Sequence, residues 1–154
     1  MLLICLDTVR ADHLGCYGYD ARDTTPRLDA LAAEGTLFLD ASATAGWTKP
    51  SVPSFLTGTY PVQHGVYEGS ARDEAGEVSH AVPEDATTLA EVFAQAGYDT
   101  AALVRNAQLR PGLGFEQGFG LYQGEAGDAQ EIRWRGQDWL DTVSYTHLRA
   151  HETL

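Results

Sequence analysis

The run Trp47-Thr48-Lys49-Pro50-Ser51-Val52-Pro53-Ser54-Phe55-Leu56-Thr57-Gly58 sets a hydroxyl side chain where a helix is expected to begin. Unpaired backbone N–H groups at the start of a helix favour an alkoxide and an incoming anionic ester, so Thr48 is the candidate nucleophile. Its plainer alternative is a helix N-cap. Lys49, the sole lysine of the chain, stands beside it. It either steadies developing negative charge or is an ordinary exposed lysine. Asp7 closes the apolar run Leu2-Leu3-Ile4-Cys5-Leu6, and a carboxylate at the end of a buried parallel strand usually faces a site.

These residues must be carried by an α/β scaffold. The continuous apolar run Leu2 to Leu6 predicts a strand covered on both faces. Thr25-Pro26 opens a helix with Leu28, Leu31 and Ala32 on one face, and Gly35 stops it. Thr36 to Ala41 predicts a second strand. The helix after Thr48 is expected to hold its prolines in the first turn and to end at Gly58. Tyr60 to Pro83 reads as loop. Thr88-Leu89-Ala90-Glu91 is a capping box that starts a helix from Leu89 to Ala96, closed by Gly97. Tyr98 to Val104 predicts a third strand, Arg105 to Gly127 a glycine-rich loop, and Asp128 to Asp141 a last helix.

Composition excludes several classes. The chain has 154 residues, enough for one domain with a real core, and 22 acidic against 10 basic residues give a net charge of −12. An acidic surface is unsuited to nucleic acid or an anionic membrane, both of which need positive charge to replace counterions. Cys5 and Cys16 form no disulfide or zinc-binding pattern and read as free thiols. No apolar stretch reaches the ~20 residues of a membrane span, and no signal peptide is written in the chain, so a cytoplasmic location is the default expectation.

Several blocks in fixed order resemble one family. Leu3-Ile4-Cys5-Leu6-Asp7-Thr8-Val9-Arg10-Ala11-Asp12-His13-Leu14-Gly15-Cys16-Tyr17-Gly18-Tyr19 is similar to the opening of the sulfatase family, within the alkaline phosphatase superfamily. Thr25 to Gly35, Ser54 to Val66, Thr88 to Thr100 and Gly114-Phe115-Glu116-Gln117-Gly118-Phe119 continue the resemblance in register. It implies a three-layer fold with a mostly parallel central sheet, present as its N-terminal part over residues 1–142, and a site at the carboxyl ends of the strands.

The resemblance also implies roles. Asp7 matches the family's first metal-binding aspartate, its plainer alternative being the cap of a turn, and a hard oxygen donor suits calcium, magnesium or manganese better than zinc. Thr48 falls where sulfatases carry the cysteine or serine that becomes formylglycine, so it is both candidate nucleophile and metal ligand. Threonine does not undergo that conversion, whereas phosphodiesterase and phosphotransferase branches of the superfamily use threonine there. Other positions depart too. The usual second aspartate is Thr8, the arginine after Pro-Ser is Val52, and the Gly-Lys-Trp-His stretch reads Val104-Arg105-Asn106-Ala107. Arg105 and Asn106, with Lys49, are the candidate contacts to substrate oxygens, the alternative for Arg105 and Asn106 being a solvated loop. Thr8 and His64 are expected to support the site from behind, and His13 to make a structural hydrogen bond.

The expected activity is therefore metal-dependent cleavage of a phosphate or phosphonate ester through Thr48, on a small anionic substrate. The alternatives are a sulfuric ester hydrolase and a non-catalytic family member or fragment. Ser144 to Thr153 resembles a translated sequencing adaptor of metagenomic origin, so residues 143–154 are expected to be non-native and the preceding fragment inactive alone. His147 and His151, four apart, are not taken as a metal site.

Overall fold

The computed structural model describes residues 1–67, 80–124 and 127–151, with residues 144–151 described as helical backbone only. The chain forms two compact units, Met1–Ala43 and Thr44–Leu154.

In the first unit, two single 3-10 turns, Ala11–His13 and Gly15–Tyr17, lead to helix α1, Pro26–Glu34. Pro26 occupies the first turn as its missing N–H allows. The Thr25 hydroxyl does not cap the helix. It accepts the Gly15 amide at 3.0 Å and donates to the Asp29 carboxylate at 3.2 Å, while Asp29 Oδ1 takes the Cys16 amide at 2.7 Å. This knot requires glycine at 15, because a Cβ there would lie 2.3 Å from Asp29 Oδ2. His13 stacks on Tyr19 and its carbonyl accepts the Thr24 hydroxyl. Both thiols are free, and burial with the nearby Asp29 raises the Cys16 pKa.

The two strands expected here do not form. Leu2, Leu3, Ile4 and Leu6 are exposed in irregular backbone, and so are Phe38 and Leu39 of the second expected strand. A doubly covered strand is held by ladder partners and by layers on both faces, not by its own composition. Among the described residues no strand pairs with either segment.

The second unit holds helices α2 (Thr48–Thr57), α3 (Pro61–His64), α4 (Leu89–Gln95) and α5 (Ala129–His151) and strands β1 (Ala101–Val104) and β2 (Leu121–Gly124). The strands pair in parallel, Ala101 opposite Leu121 and Val104 opposite Gly124. The third expected strand is thus present in shortened form, while β2 arises inside a segment read as loop. Thr100 fixes the start of the pair. Its hydroxyl donates to the Gly118 carbonyl at 2.7 Å and accepts the Gly120 amide at 3.0 Å.

The capping box at α4 forms as expected. Thr88 Oγ1 accepts the Glu91 amide and Glu91 Oε2 accepts the Thr88 amide. The same hydroxyl donates to the Gln117 carbonyl, tying α4 to the turn before β2. Gly118 lies so close to α4 that a Cβ would meet the Glu91 amide nitrogen at 2.2 Å, and its φ is +79°. The core gathers Val52 from α2 with Val66, Val82, Leu113 and Phe115, flanked by Leu56, Leu109 and Tyr122. Asp128 caps α5, which packs on β1 with Gly136 against Leu103. This helix runs to His151, well past the expected end at Asp141. The His147 and His151 side chains lie outside the described residues.

Candidate functional site

The parallel pair sets the geometry, because both strands present their carboxyl ends at Val104 and Gly124 on the same edge. The segment that leaves β1 at that edge carries Arg105 and Asn106, then the 3-10 turn Ala107–Leu109, then Arg110-Pro111. Helix α2 packs on this turn. Pro111 presses on the end of β2, where a Cβ at Gly124 would fall 2.7 Å from Pro111 Cδ and 3.8 Å from the Arg110 Cα. The start of α2 and the strand-end loop are thereby built into one unit.

Thr48 is the first helical residue of α2 and is half-buried, the N-cap being Trp47. Trp47 offers no side-chain cap, and the first turn contains no acidic residue. The positive end of the helix is left without a local carboxylate on its own turn. Pro53 sits inside the helix, against the expectation that the prolines stay in its first turn. It gives no N–H to the Lys49 carbonyl. Side-chain bonds compensate nearby, with Ser54 Oγ donating to the Pro50 carbonyl at 3.1 Å and Thr57 Oγ1 to the Pro53 carbonyl at 2.7 Å. Gly58 ends the helix in the left-handed region at φ +69°.

Lys49 is not the exposed lysine of its plainer reading. It is 0 % exposed, and its Nζ has no hydrogen-bond partner among the described residues. Burial lowers its pKa, and the neighbouring positive charge of Arg110 lowers it further. Arg110 was not among the residues singled out from sequence. Nothing in the spacing distinguishes it from Arg105, and only the packing of α2 on the strand-end turn brings it to Lys49.

His64 stands behind the same helix, 3 % exposed at the last position of α3. Its Nδ1 accepts the Val66 amide at 3.1 Å, which assigns the proton to Nε2. Nε2–H then donates to Ser54 Oγ at 3.0 Å, and the Ser54 hydroxyl donates its own hydrogen bond to the Pro50 carbonyl. The Ser54 proton is committed to the backbone, so this pair braces α2 and is not a nucleophile with its base. Burial holds the His64 pKa below its ordinary value.

The remaining candidates divide. Arg105 is exposed, and Asn106 spends its Oδ1 on the Gln108 amide at 2.9 Å as cap of the 3-10 turn. Asp7 is exposed at a turn, followed by Thr8 at φ +60°, whose hydroxyl donates to the Asp7 carbonyl at 2.7 Å. A β-branched residue in the left-handed region is a genuine conformational outlier. Asp7 and Thr8 belong to the first unit and Thr48 to the second. Among the described residues no three His, Cys, Asp or Glu side chains converge to hold a metal ion, so Asp7 offers one hard donor and not a complete site. Among the same residues, no helix is long and apolar enough to cross a membrane.

The comparisons with known proteins agree with this architecture. The Sulfatase family model matches residues 1–144. Arylsulfatase A of Bos taurus is 35 % identical over 141 residues, covering 86 % of this chain and 27 % of its own length. N-acetylgalactosamine-6-sulfatase of Homo sapiens is 33 % identical over 102 residues, covering 64 % and 19 %. The chain thus spans about a quarter or less of the curated relatives it matches. A crystal structure of an inferred sulfatase from Bacteroides thetaiotaomicron shares the α/β fold with parallel strands at a TM-score of 0.57 and 24 % identity, over 75 % of this chain and 23 % of that one. The chain belongs to the sulfatase family.

Proposed function

We propose that the protein carrying this chain is a sulfatase-family ester hydrolase acting on a small anionic substrate, with sulfuric ester hydrolysis as the leading reading. The observation that carries it is the family match over residues 1–144, supported by relatives named as sulfatases. Thr48, first residue of a helix whose opening turn holds no carboxylate, is the candidate reacting group. Lys49 supplies positive charge beside it, and His64 with Ser54 keeps the helix in place. Asp7 is the proposed donor to a divalent cation, calcium, magnesium or manganese by the hardness of its oxygens. The described residues alone do not complete that cation's shell, and no step is derived through it.

A second reading is favoured by Thr48 itself. A threonine hydroxyl can attack phosphorus directly: the Oγ–P bond forms, one ester oxygen leaves with a proton, and water later breaks the Oγ–P bond, releasing phosphate from a monoester or the remaining phosphomonoester from a diester. Turnover of para-nitrophenyl sulfate and of bis(para-nitrophenyl) phosphate by the protein that carries this chain separates the two. Sulfate ester turnover in excess supports the leading reading. Phosphodiester turnover alone overturns it in favour of the second, and turnover of neither overturns both.

A further inference from the structure

Lys49 poses a physical problem that the family assignment does not solve. A fully buried ammonium with no hydrogen-bond partner is strongly unfavourable, and buried charges are normally paired. Among the described residues the charge acting on Lys49 is another cation, Arg110, and the first turn that holds Lys49 contains no acid. Two like charges drawn together beside a helix N-terminus repel, unless an anion lies with them. Arg110 is exposed where Lys49 is enclosed, so one cation is accessible from solvent and the other lies inside.

The arrangement is held rigidly. Arg110 is the residue that closes the 3-10 turn Ala107–Leu109, and that turn packs on α2. Tyr122 of β2 donates its hydroxyl to the Leu109 carbonyl, fixing the residue before Arg110 to the sheet. Pro111 lies on Gly124, where any side chain would collide with it.

We infer that Lys49 and Arg110 together form an anion-binding pair for a tetrahedral oxyanion group, sulfate or phosphate, with Arg110 as a specificity-determining residue. The inference deepens the proposed ester site and rests on that reading for its natural ligand. Lys49 neutralises the enclosed face of the group, and Arg110 grips its outer oxygens through charge-assisted N–H donors. An ester of a neutral acid would leave both cations uncompensated and be rejected.

The test is thermal unfolding of the protein that carries this chain, titrated with sodium sulfate, with inorganic phosphate, and with chloride at matched ionic strength. The pair predicts saturable stabilisation by sulfate or phosphate beyond chloride, weakened about tenfold or more in Arg110→Gln. In Lys49→Met the saturable response is lost, while the anion-free protein melts at or above the wild type. Absence of a saturable response, a response unchanged in both variants, or a linear rise shared by all variants from general salt exclusion would each overturn it. Ester turnover is read in parallel. Saturable binding without turnover leaves the pair standing and removes the enzymatic reading. Turnover with unchanged KM in Arg110→Gln removes the pair and leaves the enzymatic reading.

Discussion

Lys49 and His64 show how burial changes what a side chain can do. An ammonium taken out of water without a partner destabilises the fold, so Lys49→Met in anion-free buffer is expected to raise stability by about 1–3 kcal/mol in denaturant unfolding. A loss of that size would mean that the charge has a counter-ion within the protein. His64 makes stability depend on pH in the neutral range. Its folded pKa lies below the ordinary 6.5, so the unfolded chain binds the proton more readily. Stability is therefore full above pH 6.5 and falls as pH drops from there toward the lowered folded value. His64→Gln should flatten that part of the stability profile, and an unchanged slope would remove His64 as its source. Neither environment could be read from the residue string. Lys49 looked equally suited to solvent, and the Ser54 partner of His64 was hidden in a motif quoted for other reasons.

Helices were legible where their ends are written in local chemistry. Pro26 with Gly35, and Thr88 with Glu91 and Gly97, mark α1 and α4 because caps and stops act within a few residues. Strands depend on partners distant in sequence, and there the reading diverged. Leu2 to Leu6 has the composition of a covered strand but no ladder partner among the described residues, whereas Leu121–Gly124 has a polar, unpromising sequence yet pairs with β1. Interior Pro53 was missed for a related reason, since side-chain bonds from Ser54 and Thr57 support the helix around it. The capping box has a measurable weight. Thr88→Ala removes both the Glu91 amide contact and the bond to the Gln117 carbonyl, and is expected to cost about 1–2 kcal/mol in equilibrium unfolding. A change within about 0.5 kcal/mol, the range of ordinary surface substitutions, would show that α4 is held by packing alone.

For the protein as a whole, the family was legible from sequence because its motifs are contiguous blocks, and the match over residues 1–144 bears that out. The substrate class was left with alternatives, because Thr48 favours a phosphate ester whereas the relatives arylsulfatase A and N-acetylgalactosamine-6-sulfatase carry sulfatase names. Cation dependence is a further consequence of the proposed role of Asp7. Dialysis of the carrying protein against a chelator should abolish ester turnover, and added calcium, magnesium or manganese should restore it; undiminished turnover would remove the cation from the account. The most direct measurement is sulfate ester turnover before and after Thr48→Ala. Thr48 is the first helical residue, the N-cap being Trp47, so the melting temperature of the variant is read alongside its turnover. A fall in turnover of about a thousandfold or more is expected in the variant that remains folded. Turnover that survives the substitution intact would contradict it.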